Sequence, residues 1–260
     1  MAKVLPTKMT SGKIDVAEIR LLLYGPPKIG KTSLFSGFPN AVFAATEKGY
    51  KALKIYKQDI KSWPDFIKFS EQIVEGNHEF QTIVIDTADG LFDLCSIHVC
   101  DELGISHESE GEWGRGWSEV KKQFTRAIMP LFQSKYGIVF ISHTKGDRIT
   151  TQVEEITKTV PTLSNQARKI LLPLVDTIGC MCYKRYKSID NDGKKRYKEK
   201  LIISFKPSEF LEAGDRTGRL PPELKLKAIP VDVKRTADIT MKFAKKNYER
   251  IAEYYNREEE

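Results

Sequence analysis

The sequence predicts an α/β fold in which a mostly parallel central sheet is flanked by helices, and three observations carry that prediction. Short apolar runs at 19–24, 41–45, 80–86 and 138–143 have the length and unbroken hydrophobicity of strands buried on both faces. Helical patterns separate them, as parallel pairing requires a crossover between strands. The first run feeds Gly25-Pro26-Pro27-Lys28-Ile29-Gly30-Lys31-Thr32, a Gly-x-x-x-x-Gly-Lys-Thr loop followed by a helical pattern. The glycines allow close backbone approach, so successive N–H groups can wrap a polyphosphate. Residues 25–33, through Ser33, are therefore the expected nucleotide-binding segment. Lys31 would reach the β- and γ-phosphates and Thr32 would hold Mg²⁺.

At 260 residues and 40% hydrophobic content the chain can bury a full core, and one domain is expected. No apolar run reaches membrane-spanning length, and residues 1–15 carry charges without an apolar signal core, so the expectation is a cytoplasmic protein with no membrane partner. Cys95, Cys100, Cys180 and Cys182 are too few and too poorly spaced for a disulfide framework or a four-cysteine zinc site. Cys180-x-Cys182 could place two thiols on one face of a strand. The net charge of +7 suits polyanionic partners without requiring one.

Taken in order, residues 1–18 form a short polar arm, either an oligomerisation arm or a disordered one. After the loop, a helix through Leu34 and Phe35 stops at Gly37-Phe38-Pro39-Asn40. The strand at 41–45 ends at Thr46-Glu47-Lys48-Gly49-Tyr50. Strand ends of parallel sheets carry active-site residues, so Glu47 is placed to orient or deprotonate an attacking water; position alone also allows a solvated loop glutamate. Ser62-Trp63-Pro64-Asp65 reads as a helix start, with Ser62 the cap. The next strand closes on Asp86, the expected partner of the metal.

A helical pattern over 88–100 leads into a polar loop, 104–116, and then a helix from Trp117 whose Val120, Phe124, Ile128 and Leu131 form a core face. His143 ends the fourth strand, either as a structural histidine or as a sensor of the γ-phosphate. Residues 144–165 read as a second long polar loop. A helix over 165–172 precedes two strands, 177–186 and 194–205, joined at Asp190-Asn191-Asp192-Gly193: a β-hairpin extending the sheet. From 183 to 206 there are nine Lys or Arg against three Asp or Glu, a net +6, interleaved with Tyr183, Tyr186 and Tyr197. That is either a nucleic-acid surface or the wet face and edge of a hairpin. The last helix spans 237–257. The division expected is an arm at 1–18, a core at 19–222 and a helical extension at 223–260.

With the phosphate loop, Glu47, Asp86 and His143 all at strand ends, the chain resembles a RecA-like P-loop ATPase. It is most similar to phage-encoded nucleotide-binding proteins of the Sak type, a family of RecA-like single-strand annealing proteins. The similarity spans 19–222 and rests on the loop, Ala45-Thr46-Glu47-Lys48-Gly49, Thr82-Ile83-Val84-Ile85-Asp86-Thr87 and Phe140-Ile141-Ser142-His143-Thr144-Lys145. It implies ATP and Mg²⁺ as cofactors, Glu47 as the water-activating glutamate, and His143 in the place of a γ-phosphate-sensing glutamine. The family's pattern is Thr-Glu-Gly, whereas here Lys48 intervenes before Gly49. The loops at 104–116 and 145–165 would be DNA-binding loops, and Arg216 in Asp215-Arg216-Thr217-Gly218-Arg219 would act on the ATP of the next subunit. The resemblance further implies single-stranded DNA as partner, contacted through Arg115, Lys145, Arg148, Lys158, Lys184 and Arg185. A homo-oligomer, ring or filament, and possible contact with a single-strand-binding protein are implied as well.

Three other readings compete on the residues. Asp86-Thr87-Ala88-Asp89-Gly90 and Thr144-Lys145-Gly146-Asp147 resemble the switch and base-reading boxes of a regulatory GTPase, although Asp89 occupies the position where the switch needs glycine. A remodelling ATPase of the AAA type shares the first two motifs but should carry a helical lid where this chain has a hairpin. A non-hydrolysing scaffold that uses ATP only as a switch for DNA binding is the third possibility.

Overall fold

The computed structural model describes residues 15–110, 112–150, 154–189, 195–230 and 232–257. The strands and helices follow the expected alternation: β1 (Arg20–Tyr24), α1 (Lys31–Phe35), β2 (Ala41–Ala45), β3 (Tyr56–Asp59), α2 (Trp63–Glu75), β4 (Thr82–Asp86), α3 (Ala88–Leu103), α4 (Arg115–Gln133) and β5 (Gly137–Ser142). Beyond them come β6 (Thr144–Thr150), β7 (Glu155–Pro161), α5 (Asn165–Leu174), β8 (Thr177–Ile189), β9 (Lys195–Ser204), β10 (Gly214–Asp215), β11 (Glu223–Lys225) and α6 (Ala237–Tyr255). Nine strands among the described residues make the central sheet in the order β11-β9-β8-β1-β5-β4-β2-β3, with β10 on β8. The pairs from β8 through β1, β5, β4 and β2 to β3 are parallel. Strands β9, β10 and β11 add antiparallel pairs, so the hairpin β8–β9 extends the sheet as the sequence predicts.

β5 lies between β1 and β4, and the registers pair Tyr24 with Ser142, Asp86 with Ile141 and Ala45 with Asp86. The carboxyl ends of four strands therefore stand in one row. Every residue of β2, β4 and β5 is buried, which is why these strands read as continuous apolar runs. One face of the sheet packs on α2, α3, α4 and α5 through Phe66, Leu91, Phe124, Ile128 and Leu171; the other packs on α1 and α6 through Leu34, Phe35, Ile251 and Tyr255. Each such side chain contributes roughly 1.5–3 kcal/mol by leaving water. Ser62 caps α2 with Asp65 reciprocating, the capping box that the sequence suggests.

The structure revises several expectations. Residues 144–165 are not a loop: β6 and β7 pair antiparallel over seven residues each, tied down by Asp147–Arg168 at 2.7 Å and Lys158–Glu212 at 2.8 Å. Single 3-10 turns at Glu108–Glu110 and Glu112–Gly114 occupy the first loop, and α4 starts at Arg115 rather than Trp117. Nothing in the sequence announced β3. Past residue 222, β11 joins the sheet edge and α6 packs on α1. Of the arm, residues 1–14 lie outside the described residues, and Val16 is buried in the core. The turn at 190–193 also lies outside them. No helix among the described residues is long and apolar enough to cross a membrane.

Candidate nucleotide site

The phosphate loop leaves β1 directly beside β8. A Cβ at Gly25 would stand 2.4 Å from the Met181 carbonyl oxygen, and Gly30 takes φ +108°, so a side chain is excluded at the first position and strained at the second. Lys31 is only 5% exposed. Its Nζ donates to the carbonyls of Gly25 and Pro26 at 2.7 and 2.9 Å and lies 3.3 Å from His143 Nδ1. Burial holds the ammonium below its ordinary range, opposed by the charges of Asp86 and Glu47.

Thr32 Oγ1 donates to Asp86 Oδ2 at 2.7 Å. Burial pushes the Asp86 carboxyl up, against the hydrogen bond from Thr32. A hydroxyl and a buried carboxylate in contact, with no cationic side chain bonded to the carboxylate, suit a hard divalent cation. Thr32 and Asp86 would hold Mg²⁺, whose charge would neutralise the bridging phosphate oxygens. The carbonyl of Asp86 accepts from Thr46 N–H at 2.9 Å and from Tyr50 Oη at 3.0 Å, which fixes the end of β4 against the end of β2.

Glu47 follows β2 with its carboxylate between two partners: Thr87 Oγ1 donates to Oε1 at 3.1 Å, and His143 Nε2 lies 3.4 Å from the same oxygen. Thr87 is itself held by Thr46, whose Oγ1 accepts from Thr87 N–H at 2.8 Å. Glu47, His143 and Lys31 thus form one polar chain across the strand ends. Behind His143, its carbonyl accepts from Thr162 N–H at 3.1 Å, and Thr162 Oγ1 donates to Asp89 at 2.7 Å. The base of the β6–β7 hairpin is thereby bonded to the site.

Lys31, Thr32, Asp86, Glu47 and His143 are brought together; Arg216 is not. Its guanidinium bonds Asp176 at 3.2 Å and the Pro173 carbonyl at 3.0 Å. That is the amino end of the sheet, where Thr177 pairs with Leu21, whereas the phosphate loop follows the carboxyl end. The expected DNA-contacting residues are dispersed. Arg115 starts α4, Lys145 and Arg148 lie on β6, and Lys158 is held by Glu212. On β8, Lys184 pairs with Glu223, and Arg185 pairs with Glu199 at 2.8 Å. Thr46, Tyr50, Thr87 and Thr162 escaped the sequence reading. For Thr87 the signal was present, a hydroxyl directly after the strand-end aspartate; for Thr162 there was none.

Strand ends of a parallel sheet, a phosphate loop on one and a carboxylate–hydroxyl pair suited to a metal beside it, define a P-loop nucleotide-binding domain of α/β fold. The chain belongs to the family described as AAA domain, whose model matches residues 17–217. The β8–β9 hairpin stands where a remodelling ATPase of the AAA type would carry its helical lid. No curated protein matches the chain. Solved structures similar to it include the flagellar accessory protein FlaH from Methanocaldococcus jannaschii, at 10% identity, with 86% of this chain and 88% of that one covered and a TM-score of 0.41.

Proposed function

We propose that this protein hydrolyses ATP with Mg²⁺ and couples turnover to single-stranded DNA bound by an oligomer, promoting annealing or homologous recombination. The observation that carries the hydrolytic part is the meeting of Lys31, the Thr32–Asp86 pair and the Thr87-oriented Glu47 at adjoining strand ends. Lys31 leaves its carbonyl partners for the phosphate oxygens. Glu47 takes a proton from water as the water oxygen bonds the γ-phosphorus, and the bond from that phosphorus to the bridging oxygen breaks, with ADP leaving. His143, in reach of both Glu47 and Lys31, registers the γ-phosphate and transmits it through Thr162 to the β6–β7 hairpin.

The DNA-binding part is supported by the outer face of the β8–β9 hairpin. Lys184, Lys200 and Lys225 place their Nζ atoms 5.8, 5.6 and 5.3 Å from the centre of the Tyr186 ring. Cations with interleaved aromatic rings suit a phosphate backbone with stacked bases. An oligomer would present Arg216 to a neighbour's nucleotide only after its bond to Asp176 opens.

The regulatory GTPase is disfavoured by two commitments. Gly90 N–H donates to Thr87 Oγ1 in the first turn of α3, and Asp147 pairs with Arg168, so neither box is free for its guanine-nucleotide role. The decisive measurement is phosphate release from ATP and GTP, with and without single-stranded DNA, by wild type and Lys31→Ala. ATP-selective, DNA-stimulated turnover lost in the variant is the expected result. Turnover indifferent to DNA would remove the annealing reading, and turnover surviving Lys31→Ala would remove the site.

A further inference from the structure

Glu47, Asp86 and His143 all lie on the β5–β4–β2 side of β1. A nucleotide whose terminal phosphate meets them must run back across residues 25–32 and leave its nucleoside on the opposite side, toward β8. A cleft lies there. Ile29, Gly30 and Ser33 of the loop and α1 line it together with Tyr183 of β8, the segment 227–229 and Arg235. Tyr183 is 56% exposed, an aromatic ring standing beside the phosphate loop.

The segment 227–229 is held in place by α6. Asn247, buried, accepts from Lys227 N–H at 2.7 Å and donates through Nδ2 to the Lys227 carbonyl at 3.1 Å. The backbone groups of Ala228 and Ile229 that follow make no hydrogen bond among the described residues. A clamped strand of backbone with free donors and acceptors, facing an exposed aromatic ring, is what reads the edge of a flat heterocycle while covering its face.

We propose that this cleft binds the nucleobase of the nucleoside triphosphate, with Tyr183 stacking on the ring and the backbone at 228–229 reading its edge. The inference rests on the phosphate-binding reading of the loop. It adds that residues 227–229 and Asn247, beyond the segment matched by the AAA-domain family, set nucleotide selectivity. Asn247 is a positioning residue, acting through the segment that it clamps.

The test compares ATP with inorganic tripolyphosphate, each with Mg²⁺, by calorimetric titration of the full chain. Tyr183→Ala should weaken ATP binding about tenfold, the range of base–aromatic stacking, and leave tripolyphosphate within twofold; Tyr183→Phe should bind both as wild type does. Asn247→Ala, with its fold checked by circular dichroism, should narrow the preference for ATP over CTP without changing tripolyphosphate affinity. Equal losses for ATP and tripolyphosphate in Tyr183→Ala, or no loss for either, overturn the base site. Wild type that binds neither ligand overturns instead the phosphate-loop reading beneath it.

Discussion

Glu47→Gln separates chemistry from binding. The substitution is nearly isosteric, and the amide can still accept from Thr87 Oγ1, 3.1 Å away, so the side chain keeps its place while losing the capacity to take a proton. The Glu47 side chain is 48% exposed, and exposed substitutions of this kind change stability by no more than about 0.5 kcal/mol. Loss of a positioned general base costs roughly 10²–10⁴ in rate, about 3–5 kcal/mol of transition-state stabilisation. Affinity for ATP should hold, because Glu47 touches neither residues 25–32 nor the Thr32–Asp86 pair. Thr87→Ala, which removes only the orienting hydrogen bond, should cost about three- to tenfold. The assay is steady-state phosphate release beside equilibrium nucleotide binding on the same preparations. A kcat for Glu47→Gln within threefold of wild type would refute the assignment of Glu47 as the base. A parallel collapse of binding would show that Glu47 holds the site's structure.

Further outcomes follow from other parts of the molecule. Asp86→Asn removes a carboxyl that burial raises above its usual 3.8. A raised native value gives stability below the ordinary range that is lost as pH rises through it, so without nucleotide the Tm of the variant should gain on wild type as pH rises above the ordinary carboxylate range; a constant difference would contradict the burial argument. The same variant should lose Mg²⁺-dependent ATP binding, read by titration with and without chelator. A Cβ at Gly37 would fall 2.2 Å from the Ala244 carbonyl carbon and 2.4 Å from Lys245 N, so Gly37→Ala should cost about 1–3 kcal/mol and lower Tm by several degrees. An unchanged Tm would mean that α6 yields freely. Lys200→Ala with Lys225→Ala should reduce the slope of log affinity for single-stranded DNA against log salt by about 1.4; an unaltered slope would exclude this face as the contact.

What the sequence disclosed follows the strength of burial. β2, β4 and β5 are buried at every residue, so hydrophobicity alone drew them, and the fixed spacing of Gly25, Gly30, Lys31 and Thr32 carried its own chemistry. β3 is Tyr-Lys-Gln-Asp and exposed throughout; an edge strand held by backbone pairing leaves no apolar signature. The β6–β7 hairpin hid for the same reason, since its cross-strand threonines and charges mimic a polar loop, and the Asp147–Arg168 and Lys158–Glu212 pairs that fasten it join residues far apart in sequence. In the site, the strand-end positions of Glu47, Asp86 and His143 were legible. The contact between Lys31 and His143, separated by 112 residues, depends on β5 inserting between β1 and β4, an order that no local pattern encodes. Arg216 lies apart from them, beside β10 at the amino end of the sheet, and a role on a neighbouring subunit's nucleotide depends on a packing that no local pattern encodes.

The packing of α6 on α1 and the clamp of Asn247 on Lys227 also bear on the order in which the protein is made. β1, the loop and α1 emerge from the ribosome early, but their covering helix begins at Ala237, some two hundred residues later. Contacts of such separation form late because closing the intervening chain is entropically costly. During synthesis, Leu34 and Phe35 therefore lack the cover of α6 while the rest of the sheet assembles, and Lys227 is clamped only when α6 docks. A nascent chain halted before residue 237 would carry every phosphate-binding residue and Tyr183 and still lack the Asn247 clamp on Lys227.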